Sequence, residues 1–220
     1  MTRGDRQSVR RRARSVYRLG HAAVYDPVVT VADRWWLAAH RRRLVEGIGG
    51  RVLDLGCGTG RTLPYLASAP AVTEVVAVEP DPAMRRRAVR RAARLDLEVD
   101  VLAGVGEALP LADERIDAAV VSLVLCSVDD EAAVRSEFAR VLAPDGELRL
   151  FEHVRGDGTR GRLQDAITPA WRRLAGGCHL DRRQHEPYLD DPAFEVLDVE
   201  EHRDGLFPAK PFVSVRLRRR

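Results

Sequence analysis

The stretch that most constrains this chain is Arg51 to Gly60, RVLDLGCGTG. Val52, Leu53 and Leu55 form the short apolar run of a buried parallel strand, and the run ends in three glycines at alternate positions, Gly56, Gly58 and Gly60. Glycine in such a turn lets the backbone pass close under a ligand at the carboxyl end of the strand. The spacing narrows the ligand. A dinucleotide fingerprint, G-x-G-x-x-G, sets a pyrophosphate on a helix N-terminus, whereas here the third glycine comes one residue early and Asp54 stands just before the turn. A carboxylate in that place repels a diphosphate and attracts a cation.

A second apolar strand, Glu74 to Val78, follows about twenty residues on, at the interval where a βαβ unit carries its ribose-binding acid. Glu79 closes that strand, ahead of Pro80 and Asp81. A carboxylate accepts hydrogen bonds from both ribose hydroxyls and disfavours a 2′-phosphate. The residues thus describe an unphosphorylated adenosine with a cationic tail, which S-adenosylmethionine satisfies. The D-L-G-C-G-T-G segment with Glu79 resembles motifs I and II of the class I methyltransferases.

Length and composition agree with one globular unit. A chain of 220 residues buries roughly 70–75% of its unfolded surface, and an apolar share of 45% with 31% charged residues is ordinary for a folded domain. The net charge of +3 is too small to mark a polyanion-binding protein as a whole. Arginines crowd both ends, from Arg3 to Arg18 and from Arg216 to Arg220, which reads as solvated termini and disfavours nucleic acid as the partner. Residues 1–24 are set apart as a basic extension, with the catalytic domain taken as residues 25–220. Cys57, Cys126 and Cys178 form no C-x-x-C pair, so neither a disulfide framework nor a structural zinc site is expected. Cys178, His179 and His185 have metal-ligand chemistry, but no fourth ligand completes a pattern. The longest uncharged apolar run, Ala118 to Val128, is about half the roughly 20 residues of a membrane span, and no signal-peptide pattern is visible. A cytoplasmic protein is expected, with peripheral membrane contact and oligomeric state left open.

Taken in order, Val28 to Glu46 reads as a helix carrying Trp35 and Trp36, and Thr62 to Ala69 as a short second helix. Pro82 to Leu95 is a third, with Asp81 at its N-cap and Pro82 in its first turn. Glu98 to Ala103 and Ile116 to Val124 read as strands; Asp129 to Val141 is a helix. A Pro144-Asp145-Gly146 turn leads to strand Glu147 to Phe151, which delivers Glu152 and His153 to its carboxyl end. A helical segment from Arg162 to Ala175 is interrupted at Pro169, and Phe194 to Glu200 pairs with Pro211 to Leu217 as an edge hairpin. The sum is an α/β fold: a Rossmann-like, doubly wound, seven-stranded sheet with one reversed strand at its edge.

Three further segments sharpen the resemblance. Gly104 to Pro110, GVGEALP, is similar to the G-D-A-E-A-L-P segment of the type 11 methyltransferases, with Val105 in place of an aspartate that contacts adenine. SLVLCSV (Ser122 to Val128), FEHV (Phe151 to Val154) and QDAITPAWRRLAGGCHLDR (Gln164 to Arg182) resemble the methyltransferase-like alkyl-thiol S-methyltransferases. Animal members of that branch start with a hydrophobic anchor that this sequence does not show. The resemblance implies a cofactor site built from Tyr25, Asp54, Gly56, Cys57, Gly58, Gly60, Glu79, Pro80, Met84, Gly106, Glu107, Ser122 and Leu123. It implies a small-molecule methyl acceptor held by Leu125, Cys126, Trp171, Cys178 and His179, with Trp171 and Leu174 as an apolar wall.

Methyl transfer from a sulfonium is an in-line displacement governed by orientation and dryness, so no metal is required by the chemistry. A thiol with a pKa near 8.5 gains from a base at neutral pH, and His153 is the candidate, with His179 behind it. A lipophilic thiol is the first acceptor to try. The alternatives are an oxygen or carbon nucleophile of quinone type, a cofactor-binding module that regulates without catalysis, and a basic-tailed surface binder.

Overall fold

The computed structural model describes residues 37–203 and 208–220. Tyr25, Trp35, Trp36, Phe207 and the basic 1–24 extension lie outside the described residues. The elements are α1 (Ala38–Val45), β1 (Gly49–Leu55), α2 (Leu63–Ala67), β2 (Ala71–Val78), α3 (Pro82–Ala92), β3 (Glu98–Leu102), β4 (Ile116–Ser122), α4 (Glu131–Val141), β5 (Leu142–His153), α5 (Gly158–Leu174), α6 (Glu186–Leu189), β6 (Phe194–His202) and β7 (Phe212–Arg219).

The seven strands form one sheet in the order β3-β2-β1-β4-β5-β7-β6. Strands β1 to β5 pair in parallel, and β7 runs antiparallel to both β5 and β6. The order reverses between β1 and β4, the switch point at which doubly wound sheets open a crevice for a ligand. Alternation along each strand divides the core in two. Leu53, Val76, Ala119, Val121 and Leu150 pack with Val134, Phe138 and Val141 of α4 on one face. Val52, Val75, Ala77, Val120 and Phe151 pack with Leu44, Leu63, Leu66 and Ala88 of α1 to α3 on the other. Burial of every central strand on both faces is what the unbroken apolar runs of β1, β2 and β4 require.

Local departures from the sequence reading have identifiable causes. The Pro144-Asp145-Gly146 turn sits inside β5 as a bulge: Ile116 pairs with Leu142 and Ala118 with Glu147, so the intervening residues loop out, with Asp145 at φ +63°. Helix α5 runs unbroken for 17 residues through Pro169. Just before the proline, the Thr168 hydroxyl donates to the Gln164 carbonyl at 2.7 Å, a side-chain bond back to the preceding turn of the helix. Fully buried Gln164 also ties α5 to the sheet end, since its Oε1 accepts from Gly156 N–H at 2.7 Å while its Nε2 donates to the Pro208 and Lys210 carbonyls. No described helix is long and apolar enough to cross a membrane.

Candidate active site

The glycine turn hangs from the end of β2, because the Val78 carbonyl accepts from both Gly56 N–H at 2.8 Å and Cys57 N–H at 3.2 Å. Gly58 adopts φ +57°, and a Cβ there would find its nearest atoms, Gly56 O and Met84 Sδ, only at 4.0 Å. Gly56 differs: a Cβ would strike the Val124 side chain at 2.6 Å. The space above Gly58 is thus open, with Met84 across it. Asp81 caps α3, its Oδ1 accepting from Ala83 and Met84 N–H at 2.7 and 2.9 Å, as the N-cap reading requires.

Two buried carboxylates flank this turn. Glu79 is 4% exposed; its Oε2 accepts from Gly58 N–H at 3.0 Å and its Oε1 from Asp81 N–H at 2.8 Å. Burial raises its pKa, against the pull of those two N–H groups, and its remaining lone pairs stay available to ribose hydroxyls. Asp54 is 2% exposed and its Oδ2 has no hydrogen-bond partner. Burial pushes its pKa up to about 7, opposed by Arg41 and reinforced by Glu79. A desolvated carboxylate with an unpartnered oxygen beside a glycine turn has the chemistry to receive positive charge. Burial, with Asp54 and Glu79 nearby, drives the Cys57 thiol far above its usual range, so it stays protonated.

The other residues expected at the cofactor lie as follows. The Glu107 carboxylate accepts from Asp129 N–H at 3.0 Å and Asp130 N–H at 3.4 Å, bracing the loop before α4. Gly106 packs closely, its notional Cβ meeting Val134 and Leu55 at 3.1 and 3.2 Å. Ser122 ends β4, and Leu123 follows at φ +60°, a strained conformation for a leucine. What holds it is Glu152, wholly buried, whose Oε1 accepts from Val124 N–H at 2.8 Å and Leu125 N–H at 3.1 Å. Burial raises the Glu152 pKa to about 7 against these two bonds. Sequence reasoning placed Glu152 at the strand end without giving it this role. Glu152→Ala strands two N–H groups at about 1–3 kcal/mol each, so the urea midpoint should fall well below that of Glu152→Gln, which keeps an acceptor.

Beyond that turn three ligating side chains converge. His153, 3% exposed at the end of β5, places Nε2 at 3.1 Å from Cys178 Sγ, and the Cys126, His153 and Cys178 ligand atoms all lie within 4.8 Å of one another. Cys178 arrives there because Gly176 (φ +62°) and Gly177 (φ +91°) terminate α5, with Gly177 N–H donating to the Arg172 carbonyl at 2.9 Å. The chain then docks on the turn after β4 through His179 N–H to the Cys126 carbonyl at 2.9 Å. Cys126, then His153 and the Trp171 indole, hold the Cys178 thiol well below its ordinary value against the effect of burial. The same contact and burial push Cys126 up. Burial opposes charge on His153, yet Cys178 beside it keeps the imidazole pKa above normal.

The residues expected on the acceptor side lie as follows. His153 faces Cys178 through Nε2, with its Nδ1 buried and unpartnered. His179 places its Nδ1 at 3.3 Å from Asp181, and Leu174 is 75% exposed. Leu125, in the turn before Cys126, is fully buried.

The family described as "Methyltransferase domain" matches residues 53–150. The chain carries a class I methyltransferase domain. Thiol S-methyltransferase TMT1B of Rattus norvegicus is 35% identical over 154 residues, covering 68% of this chain and 62% of that protein. The ubiquinone/menaquinone biosynthesis C-methyltransferase UbiE of Syntrophotalea carbinolica is 37% identical over 119 residues, 54% of this chain and 50% of the relative. The chain thus spans between half and two thirds of the length of these relatives. Among solved structures, geranyl diphosphate C-methyltransferase from Streptomyces coelicolor A3(2) superposes with a TM-score of 0.67 at 15% identity, covering 83% of this chain and 77% of the other, a likeness of fold alone. Within this methyltransferase domain, Asp54, the glycine turn and Glu79 occupy the carboxyl ends of β1 and β2, and the Cys126, His153 and Cys178 cluster the ends of β4 and β5 with the segment after α5.

Proposed function

We propose that the protein transfers the methyl group of S-adenosylmethionine to the sulfur of a small lipophilic thiol. The observation that carries the reading is the pairing of an orphaned buried carboxylate, Asp54, with a dry sulfur-and-imidazole cluster one strand away. Asp54 would take the cofactor's positive end, Glu79 the ribose, and Gly58 would let the backbone run beneath it. Cys126, Trp171 and Cys178 would line the acceptor side. The acceptor sulfur attacks the methyl carbon in line, the carbon–sulfonium bond breaks, and its electron pair stays on the departing S-adenosylhomocysteine. Orientation and exclusion of water are the protein's main contributions.

Similarity to UbiE favours a second reading, methylation of a quinone-type carbon or oxygen. Match length does not separate the two, since a demethylmenaquinone methyltransferase matches over 153 residues against 154 for the thiol S-methyltransferase; the sulfur-and-imidazole lining is what weighs toward sulfur. Mass spectrometry separates the two. Purified protein with S-adenosylmethionine and a panel of alkyl thiols, phenols and quinols should yield the S-methyl thioether. Methylation of a phenol or a carbon, with every thiol untouched, overturns the thiol assignment and leaves the methyltransferase reading in place.

A further inference from the structure

Two cysteines and a histidine packed in a dry interior are an unusual lining for a site that only needs to exclude water. The three come from separate elements, the turn after β4, the end of β5 and the turn after α5, and all three cysteines of the described chain are free thiols. Their ligand atoms lie within 4.8 Å of one another. Around a tetrahedral zinc ion, two thiolates stand roughly 3.8 Å apart and a thiolate and an imidazole nitrogen roughly 3.5 Å, from bond lengths of about 2.3 and 2.0–2.1 Å. The His153 Nε2 to Cys178 Sγ separation of 3.1 Å needs only a small opening to reach that value. The donor set is soft and nitrogen-sulfur in character, which suits zinc over magnesium or calcium.

We infer that Cys126, His153 and Cys178 form a zinc site with three protein ligands, whose fourth coordination position receives the sulfur of the acceptor. The inference rests on the thiol reading for its last clause only. Three protein ligands with one open position is the arrangement of a reactive rather than a structural zinc. The acceptor thiol binds zinc as a thiolate and gives its proton to water. That sulfur then displaces the methyl from S-adenosylmethionine, leaving S-adenosylhomocysteine and a neutral thioether, which binds zinc more weakly than the thiolate and departs. Zinc keeps its charge throughout, so no oxidant or reductant is needed. His153 would thereby act as a ligand rather than as a base.

Cobalt is the probe. Apo-protein titrated with Co²⁺ under reducing conditions should develop the intense visible bands and thiolate-to-metal charge transfer of a tetrahedral sulfur site at one equivalent, reversed by Zn²⁺. Cys126→Ser, Cys178→Ser and His153→Gln should each weaken the metal by at least the roughly 10–100-fold that loss of an outer partner alone produces. His185→Gln should leave it unchanged. Calorimetry with S-adenosylhomocysteine on every variant checks that the fold survives. Absence of the cobalt bands with all three cysteines titrating as free thiols, or a Cys126–Cys178 disulfide in the protein as purified, overturns the site. Thiol methylation at full rate by metal-free protein overturns the metal's part in the reaction and leaves the thiol reading standing. Bound cobalt with no thiol ever methylated overturns the thiol reading and leaves the metal site standing.

Discussion

Asp54→Asn should weaken S-adenosylmethionine binding about 10- to 100-fold at pH 8, the loss of a charge-assisted contact worth roughly 1.5–3 kcal/mol. The wild-type pH dependence carries the sharper signature. Burial holds the free Asp54 carboxyl near pKa 7, and only its ionised form attracts a cation. Affinity in the parent protein should therefore climb from about pH 6 to about pH 8 and level off, while the asparagine variant stays flat. The stability effect runs in the opposite direction. A carboxyl whose folded pKa lies above its unfolded value of 3.8 adds stability below that value and loses it as pH rises through about 7. At pH 8 without ligand, Asp54→Asn should thus raise the melting temperature. Isothermal calorimetry across pH, beside thermal melts of the free protein, tests both halves; an affinity in the parent that is independent of pH removes Asp54 from the cation site.

Glu79→Ala should be the second large loss, again about 10- to 100-fold in affinity for either S-adenosylmethionine or S-adenosylhomocysteine, because the ribose loses its acceptor. The geometry adds a second route. Glu79 also holds Gly58 N–H and Asp81 N–H, so the substitution frees the floor of the turn as well as its wall. Glu74→Ala is the control on the same strand. It removes only a half-exposed pair with Arg51 at 2.8 Å, worth about 0.2–1 kcal/mol, and should leave ligand affinity unchanged. Equal losses at Glu74 and Glu79 would exclude Glu79 from the binding site.

The cofactor half of the site that we propose is signalled in the sequence because its parts are local. Asp54, the alternate glycines and Glu79 sit at fixed offsets from two apolar strands, and the parallel register that joins Asp54 to Ala77 follows from those strands being buried on both faces. The sheet order was legible for the same reason, since a strand-helix alternation followed by a hairpin admits few topologies. The acceptor half is assembled from distant segments. Cys126, His153 and Cys178 share no motif spacing, and only the docking of His179 N–H on the Cys126 carbonyl brings the last of them in. The continuity of α5 through Pro169 runs against the interruption expected from the sequence, in a helix that Gln164 ties to the sheet end. Glu107 adds a contact that its motif does not announce, its Oε1 accepting from the backbone of Asp129 and Asp130.

Val124 sets a limit on how proteins of this build can diversify. Its side chain fills the space beside Gly56, its N–H hangs from Glu152, and Cys126 lies two positions further along the same turn. A change of volume at Val124 is felt by the cofactor floor and by the placement of Cys126 together, so the two halves of the site cannot drift independently through this turn. The segment after α5 is joined to this turn through His179 N–H on the Cys126 carbonyl and begins in glycines, with room for a Cβ at Gly176. Changes in acceptor preference among descendants should accumulate between Trp171 and Leu180, while the turn after β4 stays fixed.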